Sequence, residues 1–468
     1  MQQLRGSFNC SRLARKGTAR ALATAIGIGA LLLTGAGQPA AAATRCVNPG
    51  GTGGCYASIQ AAVDQAAAHD VIKVGPGIYK EGVVIGIPLS LIGAGPDQST
   101  IDATNQPNGV LVDGFAHAGL RNVAVTGFTV ENAQFEGILA VSSTNITIGN
   151  NNVINNDKSP GLKFTGAATG CPDQPSYEMD ETGDCGGAIH LIGVSNSTVS
   201  GNYVSGNADG LLISDETGIS KGNLVTQNNF VNNPLECGIV LASHPPVGSM
   251  PPYFEPHYGV VGNTITKNVS TGNGVAIGGA GVGLFSDGNG PGRVSDNVIS
   301  HNTLVGNGIG GVNLHTHVGP AFGAPADNMD NNTITGNYIA SNLADTFDTA
   351  TPGRVGININ SGGGGSPVTG TVITFNIIID EDVDIAINTP ATVEVHMNSL
   401  LGGNIGVANI CGFDNKAVCG GVIDAARNYW GCRGGPGAGA TCSSVPPIYG
   451  ANVLVTPWLP EPVANGHN

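Results

Sequence analysis

Glu216, His244, Asp287 and His317 each stand six residues after a reference glycine, respectively Gly210, Gly238, Gly281 and Gly311. If those glycines open successive stacked strands, about 4.8 Å apart, neighbours in this column touch. A carboxylate between two imidazoles orients them as a general acid and base, so His244 and His317 would be acid and base with Asp287 positioning them. Glu216, or Asp215 beside it, would handle charge at the reacting centre. The same His–Asp–His set could instead bind a divalent metal, calcium or zinc, with positions left for water. It could also simply cap strand ends, each group satisfying the next.

The column exists only if the chain repeats, and it does. Ala188-Ile-His-Leu-Ile, Gly210-Leu-Leu-Ile-Ser, Gly238-Ile-Val-Leu-Ala, Gly281-Val-Gly-Leu-Phe, Gly311-Val-Asn-Leu-His and Gly356-Ile-Asn-Ile-Asn are copies of one pattern. Apolar and polar positions alternate with the period of a strand. Laid in register, Ile189/Leu191, Leu211/Ile213, Ile239/Leu241, Val282/Leu284, Val312/Leu314 and Ile357/Ile359 share one face. His190, Leu212, Val240, Gly283, Asn313 and Asn358 share the other. Return at intervals of a few tens of residues predicts a stacked-repeat architecture.

Composition agrees. The 468 residues include 74 Gly, with 11% charged and 5% aromatic residues, which suits many short strands joined by tight turns. Residues 1–43 read as an export signal: Arg5, Arg12, Arg15, Lys16 and Arg20, an apolar run from Ala21 to Leu33, then small residues before Thr44. No other stretch is expected to span a membrane. The pairs Cys46/Cys55, Cys171/Cys185, Cys411/Cys419 and Cys432/Cys442 suggest four loop-stapling disulfides of an exported protein. Cys237 is left over and shares the parity of Ile239, so a buried thiol inside the stack is expected. Removing five of the 18 basic residues and none of the 33 acidic ones leaves 13 − 33 = −20, which argues against a nucleic-acid partner.

Ser58-Ile-Gln-Ala-Ala-Val-Asp-Gln-Ala-Ala-Ala68 is the one clear helix, with Ser58 as its cap. Ser58-Ile-Gln-Ala-Ala-Val, Val74-Gly-Pro-Gly-Ile-Tyr and Leu91-Ile-Gly-Ala-Gly-Pro-Asp, with Ile101-Asp beyond, resemble the opening of pectin-lyase-like right-handed parallel β-helix proteins. That resemblance implies an all-β solenoid whose helix covers the first coil. Asn428-Tyr-Trp-Gly431, Gly435-Pro436 and Val455-Thr-Pro-Trp-Leu459 are similar to the closing segment of many secreted bacterial members, so Trp430 and Trp458 are expected to cap the last coil. The expected organisation is signal 1–43, cap and first coils 44–108, coils with cleft-forming loops 109–425, and C-terminal cap and tail 426–468. Asn-rich segments such as Asn202-Tyr-Val-Ser-Gly-Asn and Asn337-Tyr-Ile-Ala-Ser-Asn predict ladders of stacked Asn side chains.

Spacing between reference glycines runs 28, 43, 30 and 45 residues, so two coils carry insertions beginning at His244 and His317. Pro- and aromatic-rich loops on one edge of a rigid scaffold build a cleft. Tyr253, Phe254, His257 and Tyr258 of the first insertion, with His190, Phe285, Asn313, His315, Asn358 and Asn360 on the outward face, would contact substrate. Asp180, Glu181 and Asp184 could hold calcium or form a solvated loop. Lys221, Arg293 and Arg354 are the nearest cations; lyases of this fold often use a Lys or Arg base with calcium, and no known lyase motif is present. The family resemblance implies a secreted, monomeric protein that cleaves or epimerises a polysaccharide or oligosaccharide, by elimination, hydrolysis or epimerisation. The competing expectation is a non-catalytic surface or periplasmic β-helix that binds glycan or assists metal-centre maturation.

Overall fold

A computed structural model describes residues 42–156, 177, 187–243, 257–286, 292–316, 319–346, 351–361, 364–402, 404–410 and 421–463. The described strands form sheets of 14, 11, 11 and 3 strands, and each strand pairs in parallel with its counterparts in the neighbouring coils. The chain is a right-handed parallel β-helix. The expected register holds: Ile189, Leu211, Ile239, Val282, Val312 and Ile357 pair in sequence along one eleven-stranded sheet, here called the repeat sheet. His190, Leu212, Val240, Gly283, Asn313 and Asn358 form the adjoining row.

In many strands of the other two large sheets burial alternates, as in Thr264–Thr266 of one and Thr303–Val305 of the other, whose central Ile265 and Leu304 are fully buried. Inward Val, Ile and Leu from all three sheets make one continuous core, each fully buried side chain stabilising by roughly 1.5–3 kcal/mol. Ladders of Asn side chains join the coils at the turns. Asn228 donates through its backbone N and its Nδ2 to Oδ1 of Asn268, both at 3.0 Å, and Asn268 does the same to Asn302 at 2.9 and 3.1 Å. The same bonds continue through Asn337, Asn376, Asn398 and Asn428.

The helix is shorter than expected, Ile59–Asp64. Ser58 accepts from Ala61 N, and Glu81 reaches from the next coil to accept from Ile59 N at 2.8 Å and Gln60 N at 2.9 Å. Three of the free N–H groups at the helix start are thereby satisfied. The chain leaves the helix because Asp70 binds Ala67 N at 2.9 Å, Ala43 N at 2.7 Å and Arg45 Nε at 2.8 Å, pulling the segment after Gln65 into the first coil. At the other end Trp430 is fully buried against the last coil, while Trp458 is 39% exposed and packs over Gly435. Cys46–Cys55 and Cys432–Cys442 are disulfides. The pairs Cys171/Cys185 and Cys411/Cys419, and the export signal up to residue 41, lie outside the described residues. No described helix is long and apolar enough to cross a membrane.

One ladder ends in a charge. The sequence of stacked residues Asn156, Asn207, Asn233, Asn273, Asn307 and Asn342 terminates at Glu381, whose Oε1 accepts from Asn342 N at 3.0 Å and Nδ2 at 2.9 Å. Its Oε2 is buried without a hydrogen-bond partner, and burial pushes the carboxyl up to about 7. Burial likewise raises the nearby Asp384 well above the usual range. The folded protein therefore holds the Glu381 proton more tightly than the unfolded chain, and stability falls as pH rises from the ordinary value of 4.5 to about 7. Glu381→Gln keeps the acceptor and removes the ionisation. The variant is expected to melt higher than the parent at about pH 8, with the gain fading below about pH 5. Melting curves at both pH values check this, and a variant no more stable at the higher pH refutes it.

Candidate functional site

The outward face of the repeat sheet differs from every other outer surface. Strands Ile138–Val141, Ile189–Ile192, Leu211–Ser214 and Ile239–Ser243 are buried at every residue, inward and outward alike. Outward side chains here need partners as inward ones do, so polar groups on this face are costly unless matched. The middle of the face is apolar: Leu212, Val240, Ala242, Cys237, Ala280 and Ile309 pack together with Phe285. Polar groups gather on either side of that patch.

On the N-terminal side, His190 Nε2 lies 2.8 Å from Ser214 Oγ, and its Nδ1 lies 3.5 Å from Glu136 Oε1. All three residues are at most 1% exposed. Ser214 stands diagonally across from His190 on the next strand, because Ile192 pairs with Ser214 and His190 with Leu212. Asp209 leans over Gly187, where an added Cβ would fall 1.4 Å from Oδ1, so only a glycine there leaves room for the carboxylate.

On the C-terminal side, Asn313 Nδ2 donates to Asp345 Oδ2 at 2.9 Å, and His315 Nδ1 is 3.5 Å from Asn313 Oδ1. The Phe285 and His315 rings stack at 4.3 Å. Asn388 donates to Asn360 at 3.2 Å one coil further on. Asn358 is fully buried in the Asn313 row.

Carboxylates on successive coils border the apolar patch. Glu236, Asp209 and Asp345 all act electrostatically on Cys237, with Asp209 and Asp345 at most 2% exposed. Cys237 is buried as expected but on the opposite side of the sheet, in the outward cluster with Leu212 and Val240. Parity fails because the chain bends at Gly238, so the residue before the bend does not share the face of Ile239. Burial first, then the neighbouring charges, raise the thiol well above its ordinary value.

Of the expected site residues, Phe285, Asn313, His315, Asn358 and Asn360 lie together on this face, and His190 shares the face four strands away. His244, Asp287, His317, Tyr253 and Phe254, and the Asp180–Asp184 loop, lie outside the described residues. Asp215 takes the inward position: Ser243 Oγ donates to its Oδ2 at 2.7 Å in a buried corner, in the phase of Leu211 and Ile213. Glu216 is buried beside it, and exposed His257 and half-buried Tyr258 precede the edge strand Val260–Val261. Lys221 lies in that three-stranded edge sheet, Arg293 directly precedes one of its strands, and Arg354 is paired with Asp382 at 3.2 Å. Among the described residues no three His, Cys, Asp or Glu are placed to hold a metal ion.

Glu136, Asp209, Glu236 and Asp345 were not singled out from the sequence. Glu136 and Asp209 each directly precede the small residue that opens a repeat, the position Cys237 also takes. Reading the repeats one residue earlier finds them.

A family model described as right handed beta helix region matches residues 108–250. No curated protein matches the sequence. Among solved structures, a catalytic domain of GH87 alpha-1,3-glucanase in complex with tetrasaccharides aligns over 85% of this chain and 66% of its own, with TM-score 0.56 and 13% identity. The corresponding domain in complex with nigerose gives 0.55 and 13% over the same shares. DFA-IIIase from Arthrobacter chlorophenolicus A6, without its lid and in complex with GF2, aligns over 83% of this chain and 91% of its own, with TM-score 0.50 and 11% identity. The chain thus spans just under two thirds of the glucanase domains. At these identities the likeness is one of fold, the pectin-lyase-like right-handed β-helix.

The raised, buried Cys237 thiol is expected to stay unreactive toward an aromatic disulfide reagent at about pH 8 while the protein is folded, and to react fully in denaturant. Rapid labelling of the folded protein would contradict its placement.

Proposed function

We propose that the chain is an exported carbohydrate-active enzyme that hydrolyses glycosidic bonds of an extended glycan lying along the outward face of the repeat sheet. The observation that carries this reading is the buried polar group on that face, where Asn313 donates to Asp345 beside the Phe285–His315 ring pair, with Asp209 on a neighbouring coil. Glycoside hydrolysis needs one carboxyl to protonate the departing oxygen and a second to act as base or nucleophile. Asn313 orients Asp345 for such a role, and the stacked Phe285 and His315 offer an apolar wall to a sugar ring. His244 and His317, with Asp287 between them, follow the far ends of the same strands in sequence and are proposed as a second acid/base set. Among the described outward residues of this face there is no Lys or Arg, so the base of a typical elimination is missing and hydrolysis is favoured. The oligosaccharide complexes of the fold relatives support the substrate class. Two local disulfides support an oxidising compartment.

The burial of Asp209 and Asp345, each at most 2% exposed, favours a second reading, a β-helix that binds a glycan without cleaving it. A glycan panel read for new reducing ends, unsaturated products and binding separates the two. New reducing ends are expected, with Asp209→Asn and Asp345→Asn each lowering kcat by about 10²–10⁴-fold at an unchanged melting temperature. Saturable binding without products would establish the binder, and unsaturated products would overturn hydrolysis.

A further inference from the structure

The line from Glu136 through His190 to Ser214 crosses three consecutive coils and is separate from the carboxylates assigned above. We propose that Ser214 is a nucleophile, activated by His190 and oriented through Glu136, that hydrolyses an acyl ester carried on a glycan hydroxyl. The ester class rests on the glycan reading of this face; the nucleophile does not.

Two contacts of His190 fit one tautomer. With Nδ1–H donating to Glu136 Oε1 at 3.5 Å, the Nε2 lone pair accepts from Ser214 Oγ–H at 2.8 Å. That is the tautomer a general base beside a hydroxyl nucleophile requires, with a carboxylate behind it to stabilise the imidazolium. The sheet has no packing need for these groups. The His190 row carries Leu139, Leu212 and Val240 on neighbouring strands, and the Ser214 row carries Val141, Ile192 and Ala242. Apolar residues fill the same places without desolvating a charge. Glu136 Oε2 is buried with no hydrogen-bond partner, which leaves the carboxylate an open acceptor behind the imidazole. Buried polar networks left partly open are costly, and such costs concentrate at functional sites.

The reaction balances with water as the co-reactant. Ser214 Oγ attacks the acyl carbonyl carbon while His190 Nε2 takes the hydroxyl proton. The glycan alkoxide departs and receives that proton from Nε2, leaving the acyl group on Ser214. Water then attacks the same carbonyl with His190 again as base. The acyl–Oγ bond breaks, the proton returns to Oγ, and a carboxylic acid is released.

A fluorophosphonate probe tests the nucleophile on the wild-type protein, independent of any glycan. One phosphonyl group per chain, located on Ser214 by peptide mass mapping, is expected. His190→Ala should lower the labelling rate by about 10²–10⁴-fold, and Glu136→Gln should lower it by at least about tenfold with an altered pH profile. No adduct on Ser214 in the folded wild type, or undiminished labelling of His190→Ala, overturns the proposal. Mapping on the wild type keeps it falsifiable should Ser214→Ala fail to fold. Acetate release from acetylated against deacetylated xylan tests the ester: labelling without release from any acylated glycan overturns the substrate class alone. Loss of glycan depolymerisation leaves labelling untouched, so failure of the hydrolase reading is told apart.

Discussion

The bond on which the rest of the structure depends runs from one asparagine to the next along the turns. Asn268 shows its full use: Oδ1 accepts from the backbone N and Nδ2 of Asn228, while its own Nδ2 donates to Val225 O at 2.9 Å. One buried side chain thus satisfies donors and an acceptor that the turn would otherwise strand, each worth about 1–3 kcal/mol if left unmatched. No other side chain of this length supplies a donor pair and an acceptor in one plane. The ladder also sets coil-to-coil alignment at the turn itself, beside the register of the strands. Glu381 shows the rule by breaking it, since a carboxylate can accept from Asn342 but has nothing to donate onward.

Because turns and core hold the coils in register, the outward face of one sheet is free to depart from what stability alone would choose. Many strands of the other large sheets keep alternating burial with half-exposed Thr and Ser outside, as at Thr198–Ser200 and Tyr203–Ser205. The repeat sheet instead buries imidazole, carboxyl and amide groups around an apolar patch. That arrangement costs free energy, and the regular coil beneath offsets it. It also explains why the two polar groups do not merge: Leu212, Val240 and Gly283 stand between His190 and Asn313 in one row, about four strand spacings or roughly 19 Å apart.

Much of this was legible in the residues. Period-two alternation predicted the register of six strands, and the Asn-rich turns predicted the ladders, because both depend on local pattern repeated many times. What could not be read were the places where a single bend decides the outcome. Asp215 follows the phase of Ile213 into a corner with Ser243, although the strand's end made an outward position equally readable. Cys237 has the parity of Ile239 but stands on the other side of the Gly238 bend. The helix stops at Asp64 for a tertiary reason, the three bonds of Asp70, which no helix propensity contains.

The same bend accounts for where chemistry collects. A residue just before the small corner residue lies outside the inward core and meets its neighbours in its own way: Asn108 Oδ1 accepts from Glu136 N, Asp209 Oδ1 from Ala188 N and Cys237 Sγ from Ala280 N. Its identity accordingly changes from coil to coil: Asn108, Glu136, Gly187, Asp209, Cys237, Ala280. Where a glycine falls in that column, as at Gly187, the carboxylate of the next coil occupies the vacated space. A column outside the inward core, running beside a covered face, lets successive coils contribute unlike groups at fixed spacing.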